Sequence, residues 1–423
     1  MKRRKVELID NSGSFHLLVN RKRFFIKGAG LEFGDIKSLA RNGGNAFRTW
    51  RVEDGNKSAL EILDEAEDSG LLVCMGLDVA RERHGFNYDD KEAVAGQLEN
   101  IRRDVQRLKH HPALLMWGIG NELNLRHKNP RVWDAVNEIS EAIHLIDGNH
   151  PTTTMLAGAD PETIKTVSGR CQDLDLLSFQ MYRDIEKLPE FLRQSDYSGA
   201  YTVSEWGTTG HWEAPCTAWG RPIEQTSSEK ASAIKHRYNN FIITNKNQCV
   251  GAFVFLWGQK QERTPTWYGL FLENGRHTEM TQTMYFLWTR KLPKRPLPTR
   301  LSMEVLNENG INITILVAGN TYSAHIQFYY QQKYRLAYRW ELMEEVDRAS
   351  ESDGGDLELQ PAILWTKKIH DINRIIFYAP KPGEYRLFIY IEDPFNGSST
   401  ANMPLLVAAN GTTLDETTKL ESK

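Results

Sequence analysis

The chain has 423 residues, of which 40% are hydrophobic and 25% charged, and its formal net charge is -3. That length allows two or three domains, one of them a full barrel of about 250 residues. The near-neutral balance gives no electrostatic reason to expect a nucleic-acid partner, and no apolar run reaches the length needed to cross a membrane, so no membrane partner is expected either.

The basic start, Met1-Lys-Arg-Arg-Lys5, reads as a solvated tail. Val6-Glu-Leu-Ile-Asp10 behind it is too short and too charged for the core of a signal peptide. The mature segment of an exported protein would look the same. The expected compartment is therefore cytoplasmic, or periplasmic or secreted if a leader has been removed. Four cysteines, Cys74, Cys171, Cys216 and Cys249, form no CxxC pattern and read as small core hydrophobes.

From about residue 24 to residue 290, strand-like apolar runs alternate with amphipathic stretches. The runs are Phe24-Lys27, Asn45-Trp50, Leu71-Leu77, Ala113-Ile119, Thr152-Leu156, Leu174-Met181, Tyr201-Ser204 and Val250-Trp257, eight in all. Between them Val94, Leu98, Ile101, Val105 and Leu108 mark one apolar helix face, as do Trp133, Val136, Ile139, Ile143 and Ile146. A short helix from Ser58 stops at Gly70, and Thr226-Ser-Ser-Glu229 is a capping box opening another. This pattern predicts an α/β chain with a (β/α)8 barrel over residues 1–290. The rival doubly wound sheet lacks its nucleotide loop, because Gly28-Ala-Gly30 with Gly34 has the wrong spacing. Lys291 to about 299 is a proline-rich linker. Short alternating strands follow, such as Ile311-Val317, Ala324-Tyr330, Ile375-Tyr378 and Tyr385-Ile391. They predict a small all-β sandwich over 300–408, with a polar tail over 409–423. The sandwich shows no catalytic cluster, and Glu344, Glu345 and Asp347 read as a solvated run.

In a barrel, chemistry sits where strands end, at the C-terminal face. Trp117-Gly-Ile-Gly-Asn-Glu-Leu-Asn124 closes the fourth run, and Tyr201-Thr-Val-Ser-Glu-Trp-Gly207 closes the seventh. Each leaves one glutamate, Glu122 and Glu205, at the mouth. A lone loop glutamate is usually just solvated. Two at such strand ends match the demand of glycoside hydrolysis with retention, which needs two carboxyl groups about 5–5.5 Å apart.

These motifs resemble the clan A glycoside hydrolases, whose catalytic glutamates close strands four and seven. Within the clan, His111-Pro-Ala-Leu-Leu-Met-Trp-Gly-Ile-Gly-Asn-Glu122 is most similar to the family 2 TIM-barrel catalytic domain. Asp175-Leu-Leu-Ser-Phe-Gln-Met-Tyr182 and Ser204-Glu-Trp-Gly207 resemble its sixth and seventh strands. The likeness covers roughly residues 15–290, and the sandwich behind it resembles an immunoglobulin-like domain. It implies that Glu122 is the acid/base and Glu205 the nucleophile. By the same resemblance, Asn121 would bind the sugar 2-hydroxyl and Arg48 would keep the nucleophile ionised. Tyr182 would hydrogen-bond the nucleophile, and Trp257 would floor the sugar subsite. Two departures are visible. Arg48 is followed by Thr-Trp-Arg-Val-Glu where these barrels usually carry His-x-Pro, and Gln180 stands where Asn is common.

Trp50, Trp206, Trp212, Trp219, Trp257 and Trp267 all fall at or just after strand ends, and indole faces stack on sugar rings. Trp206 and Trp212 therefore join the expected substrate-binding set, with the loop 207–222 shaping subsites. The expected activity is that of a retaining glycosidase in carbohydrate metabolism, cutting a β-linked oligo- or polysaccharide with no cofactor. One alternative is a transglycosylase using the same two glutamates with a sugar acceptor. Another, of a different class, is a non-catalytic carbohydrate-binding protein. A metal-dependent hydrolase would want histidines at strand ends, and the first strand ends Gly28-Ala-Gly-Leu-Glu32 without one, so no metal is expected. Oligomeric state is left open.

Overall fold

The structure is a computed structural model that describes residues 4–32, 34–53, 55–348, 351, 358–370 and 372–410. Of the expected polar tail over 409–423, residues 411–423 lie outside the described residues. By compactness the chain divides into two units, Met1–Gly207 with His236–Gly258, and Thr208–Lys235 with Gln259–Lys423.

The first unit opens with three short antiparallel strands, β1 (Val6–Asp10), β2 (Phe15–Val19) and β3 (Lys22–Arg23). Eight parallel strands then close a barrel. They are β4 (Ile26–Gly30), β5 (Ala46–Arg48), β6 (Leu72–Leu77), β7 (Leu114–Asn121), β8 (Thr152–Ala157), β9 (Leu176–Gln180), β10 (Tyr201–Trp206) and β11 (Cys249–Val254). Their order around the barrel is β10-β11-β4-β5-β6-β7-β8-β9. Each strand lies between the barrel interior and a surrounding layer, so both faces are dry and the sequence reads as a continuous apolar run. Every residue of β6, β7, β10 and β11 is buried.

The helices follow the strands: α1 (Ile36–Arg41), α2 (Ala59–Asp68), α3 (Lys91–Leu108), α4 (Arg131–Ile146), α5 (Pro161–Arg170), α6 (Leu188–Gln194), α7 (Ser227–Arg237) and α8 (Glu279–Thr289). Their starts are written locally. Ser58 and Glu61 form a reciprocal capping box on α2, while Asp90 and Asp160 accept backbone N–H groups at the starts of α3 and α5. The capping box Thr226–Glu229 is present at the start of α7.

Two features differ from the sequence reading. The first barrel strand lies over Ile26–Gly30, not Phe24-Lys27, because its glycines disguise it. They are there for space: a Cβ on Gly28 would fall 2.4 Å from the Phe253 ring, and one on Gly30 would fall 2.7 Å from the Trp50 ring. The second is the β1–β2 hairpin, which was not expected. Val6 N–H donates to the Asn149 carbonyl (2.8 Å) and Phe15 N–H to the Asn247 carbonyl (2.6 Å). Those acceptors precede β8 and β11, so the hairpin covers the end of the barrel where strands begin. Val6 and Leu17 join Ile26, Leu72, Leu115, Leu176 and Val250 in one apolar cluster there. The opposite end, where strands finish, is left for chemistry.

In the second unit, residues 299–408 form two sheets. One is β12 (Thr299–Leu306), β14 (Thr321–Tyr329) and β17 (Arg374–Tyr378), in the order β12-β14-β17. The other has β13 (Ile315–Val317), β15 (Ala337–Glu344), β16 (Ile363–His370), β18 (Gly383–Glu392) and β19 (Ser398–Ala408), in the order β13-β19-β18-β15-β16. The two sheets pack as a sandwich over Val305, Leu316, Ile326, Trp340, Leu387 and Ile389. Glu345 corrects the reading of a solvated acidic run, since its carboxylate accepts from the buried Arg386 guanidinium at 2.8 Å. None of the four cysteines is bonded to another. Among the described residues, no helix is long and apolar enough to cross a membrane.

Candidate active site

The two strands that carry the glutamates are both irregular at their last residues. Pairing of β7 with β8 slips between Gly118 and Asn121, and pairing of β10 with β9 slips between Val203 and Glu205. Such slips re-aim the side chains that follow them. On β7 the chain also turns through two left-handed residues, Gly120 (φ 73°) and Glu122 (φ 52°). Left-handed backbone is uncommon outside glycine, and at Glu122 it swings the side chain out of the strand's alternation. The turn is pinned from three sides. Glu122 N–H donates to the Met155 carbonyl (2.9 Å), Arg83 donates to the Glu122 carbonyl (2.8 Å), and Arg81 donates to the Asn121 carbonyl (3.2 Å). Asn124 holds both backbone groups of Ala157, at 2.8 and 2.9 Å. The Glu122 side chain is half-buried.

Glu205 is buried, with its side chain 8% exposed beside an Arg48 side chain at 1%. Four groups reach its carboxylate. Trp50 Nε1 (3.0 Å) and Gln180 Nε2 (3.0 Å) donate to Oε1, and the Arg48 guanidinium stands 3.4 Å from the same oxygen. Tyr182 Oη donates to Oε2 at 3.0 Å. Arg48 also donates to the Ser204 carbonyl (3.2 Å) and to Asn121 Oδ1 (2.6 Å), and it lies 4.7 Å from the Trp50 ring centroid. Gln180 shares Asn121 Oδ1 at 2.7 Å. Two donors on Oδ1 set the orientation of the Asn121 amide and put its NH2 on the other side, as a donor for something else. Phe255 meets the rings of Trp50 (5.8 Å) and Tyr182 (6.1 Å) edge-on, bracing both donors. The result is an anion held by a cation and three neutral donors in a site that water scarcely reaches.

Arg48, Asn121, Tyr182 and Glu205 thus come together as one hydrogen-bonded group, with Glu122 next in the chain to Asn121. The tryptophans divide. Trp206 and Trp257 are 1% and 0% exposed, so neither offers an open indole face to a sugar in this structure. Trp206 stacks on Tyr238 at 5.7 Å, and the Trp257 N–H donates to the Gly30 carbonyl. Each fills the barrel wall. Trp212 differs: it is 61% exposed, edge-on to His211 at 4.9 Å, and belongs to the second unit.

The sequence reading missed Trp50 and Gln180 as partners of Glu205. The signal for Trp50 was present, since Arg48 and Trp50 are two apart and side chains two apart share a face of an extended segment. Gln180 lies opposite Glu205 only because of the slip in β10, which no local pattern announces.

Residues 33–209 match the model of the TIM barrel domain of glycosyl hydrolases family 2. The chain is similar in fold to a β-glucuronidase from Ruminococcus gnavus solved with a C6-substituted uronic isofagomine. Identity there is 14% and the TM-score 0.50, over 67% of this chain and 52% of that one. It is also similar to an FMN-binding β-glucuronidase from Facaelibacterium prausnitzii L2-6. Identity there is 11% and the TM-score 0.52, over 96% of this chain and 59% of that one. The chain therefore matches little more than half the length of either structure. Among the described residues, no group of three or more His, Cys, Asp or Glu is placed to hold a metal ion.

Proposed function

We propose that this chain, whose residues 33–209 match the TIM barrel domain of glycosyl hydrolases family 2, is a retaining β-glycosidase acting on a β-linked oligo- or polysaccharide. The observation that carries the reading is the Glu205 carboxylate, buried at the end of β10 and gripped by Arg48, Trp50, Gln180 and Tyr182. A carboxylate held this way keeps its aim, as a nucleophile requires.

In the first step, a Glu205 oxygen attacks the anomeric carbon while Glu122 gives its proton to the departing glycosidic oxygen. The bond to the leaving group breaks with its electron pair, and a glycosyl ester on Glu205 remains. Glu122, now ionised, takes a proton from water, the water oxygen bonds to the anomeric carbon, and the electron pair of the ester bond returns to Glu205. Both steps invert, so the configuration is retained. The Asn121 NH2, turned away from Arg48 and Gln180, is the donor for the neighbouring sugar hydroxyl.

A panel of aryl β-glycosides of glucose, galactose, mannose and glucuronic acid tests the reading. NMR of the first product formed should show the β-anomer, and an α-anomer as first product would sink the double displacement.

A further inference from the structure

The grip on Glu205 is lopsided. Trp50 Nε1, Gln180 Nε2 and the Arg48 guanidinium all converge on Oε1, whereas Oε2 takes its hydrogen bond from Tyr182. The indole N–H and the amide NH2 are donors that carry no charge and cannot ionise. Gln180 is held in this orientation because its NH2 also serves Asn121 Oδ1, another acceptor.

We infer that the oxygen bonded to Tyr182 is the one that attacks the anomeric carbon, and that Trp50 and Gln180 are positioning residues whose work falls in the second chemical step. The inference rests on the retaining reading above. An oxygen already taking two hydrogen bonds, with a guanidinium 3.4 Å away, has its lone pairs directed at them, and freeing one means breaking hydrogen bonds to a charged group. Oε2 has one donor to release and is the cheaper nucleophile. Once Oε2 is bonded to the sugar, Oε1 becomes the carbonyl oxygen of the ester, still facing Trp50, Gln180 and Arg48. When water attacks, the bond from the anomeric carbon to Oε2 breaks and its electron pair returns to the carboxylate. Charge grows on Oε1 as this happens, and its donors strengthen. They therefore favour the leaving of Glu205 in the second step. In the first step the same carboxylate loses charge, so the donors give no such help.

The test traps the intermediate with 2,4-dinitrophenyl 2-deoxy-2-fluoro-β-glycosides of the four sugars above. A crystal structure of the trapped wild type should show the sugar on the oxygen facing Tyr182, with the ester carbonyl facing Trp50 and Gln180. Trp50→Phe and Gln180→Met each remove one donor, and a hydrogen bond to a charged group is worth enough to slow reactivation of the trapped enzyme by about 10-fold. The rate of trapping should fall by much less. A sugar bonded to the oxygen facing Trp50, or equal losses in trapping and reactivation, overturns the inference and leaves the glycosidase reading standing. A wild type that none of these reagents labels overturns both.

Discussion

The ends of β7 and β10 present the same residue type in opposite surroundings. Glu205 is buried and its carboxylate is fixed by four partners from two other strand ends, those of β5 and β9. Glu122 is half-buried; its N–H donates to the Met155 carbonyl, its carbonyl accepts from Arg83, and Arg81 holds the carbonyl of Asn121 just before it. The contrast suits the roles proposed for them: a nucleophile keeps one direction until it reacts, whereas an acid/base exchanges a proton in each cycle, which a place nearer to solvent favours.

The strongest way to break this comparison is to remove each carboxylate and offer azide. Glu205→Ala should lose several orders of magnitude in turnover and yield an α-glycosyl azide, since azide then attacks the anomeric carbon directly. Glu122→Ala should lose about 100- to 10,000-fold on substrates with poor leaving groups, and azide should rescue it to a β-glycosyl azide. NMR of the two products checks both, and the reverse pairing would exchange the roles. Next comes Arg48→Met, which leaves a buried carboxylate without its cation. Breaking a buried pair costs about 3–5 kcal/mol. Both the melting temperature and kcat/KM should drop, the latter by about 100-fold or more. Retained activity with a lowered melting temperature would make Arg48 a structural residue only.

Tyr182→Phe removes one neutral donor from the anion, and such a bond is worth about 1.5–3 kcal/mol. Steady-state kcat/KM should fall about 10- to 100-fold with little change in thermal stability. The smallest effect lies away from both carboxylates. Hydrogen bonding to Asp175, aided by Asp173, pushes His144 up to about 9 from its ordinary value near 6.5. A histidine pulled upward stabilises the fold fully below pH 6.5, and that contribution is lost as the pH rises through 9. Melting curves from pH 6 to 10 should show a decline that is shallower in His144→Gln. If the two curves run parallel, the pair contributes nothing to stability.

Much of this was legible in the sequence, for identifiable reasons. The barrel strands are buried on both faces, and most of them announce themselves as apolar runs. The first did not, because Gly28 and Gly30 make room for Phe253 and Trp50. The hairpin was hidden because its strands are only five residues long and interrupt their apolar residues with Glu7, Asp10 and His16, and nothing local says that Val6 and Leu17 face a barrel end. Glu122 and Glu205 are singled out by their positions at strand ends, and Asn121, Arg48 and Tyr182 by the family resemblance; the structure gathers Arg48, Asn121, Tyr182 and Glu205 into one hydrogen-bonded group. Their partners could not all be read this way, since the slip that sets Gln180 against Glu205 is a property of two strands together. Trp206 and Trp257 show the converse error. A tryptophan at a strand end packs into the wall as readily as it meets a sugar, and only burial separates the two.

The hairpin over the barrel's closed end also orders events in time. Residues 6–19 are synthesised before every strand of the barrel, yet their hydrogen-bond partners include Asn149 and Asn247. Their docking site, formed by Ile26, Leu72, Leu115, Leu176 and Val250, is complete only when the last barrel strand is in place. Contacts so distant along the chain close a large loop late, and topologies built on them fold slowly. A segment that emerges ahead of the whole barrel is therefore among the last to settle, and Val6 and Leu17 stay uncovered for most of the time the barrel takes to assemble.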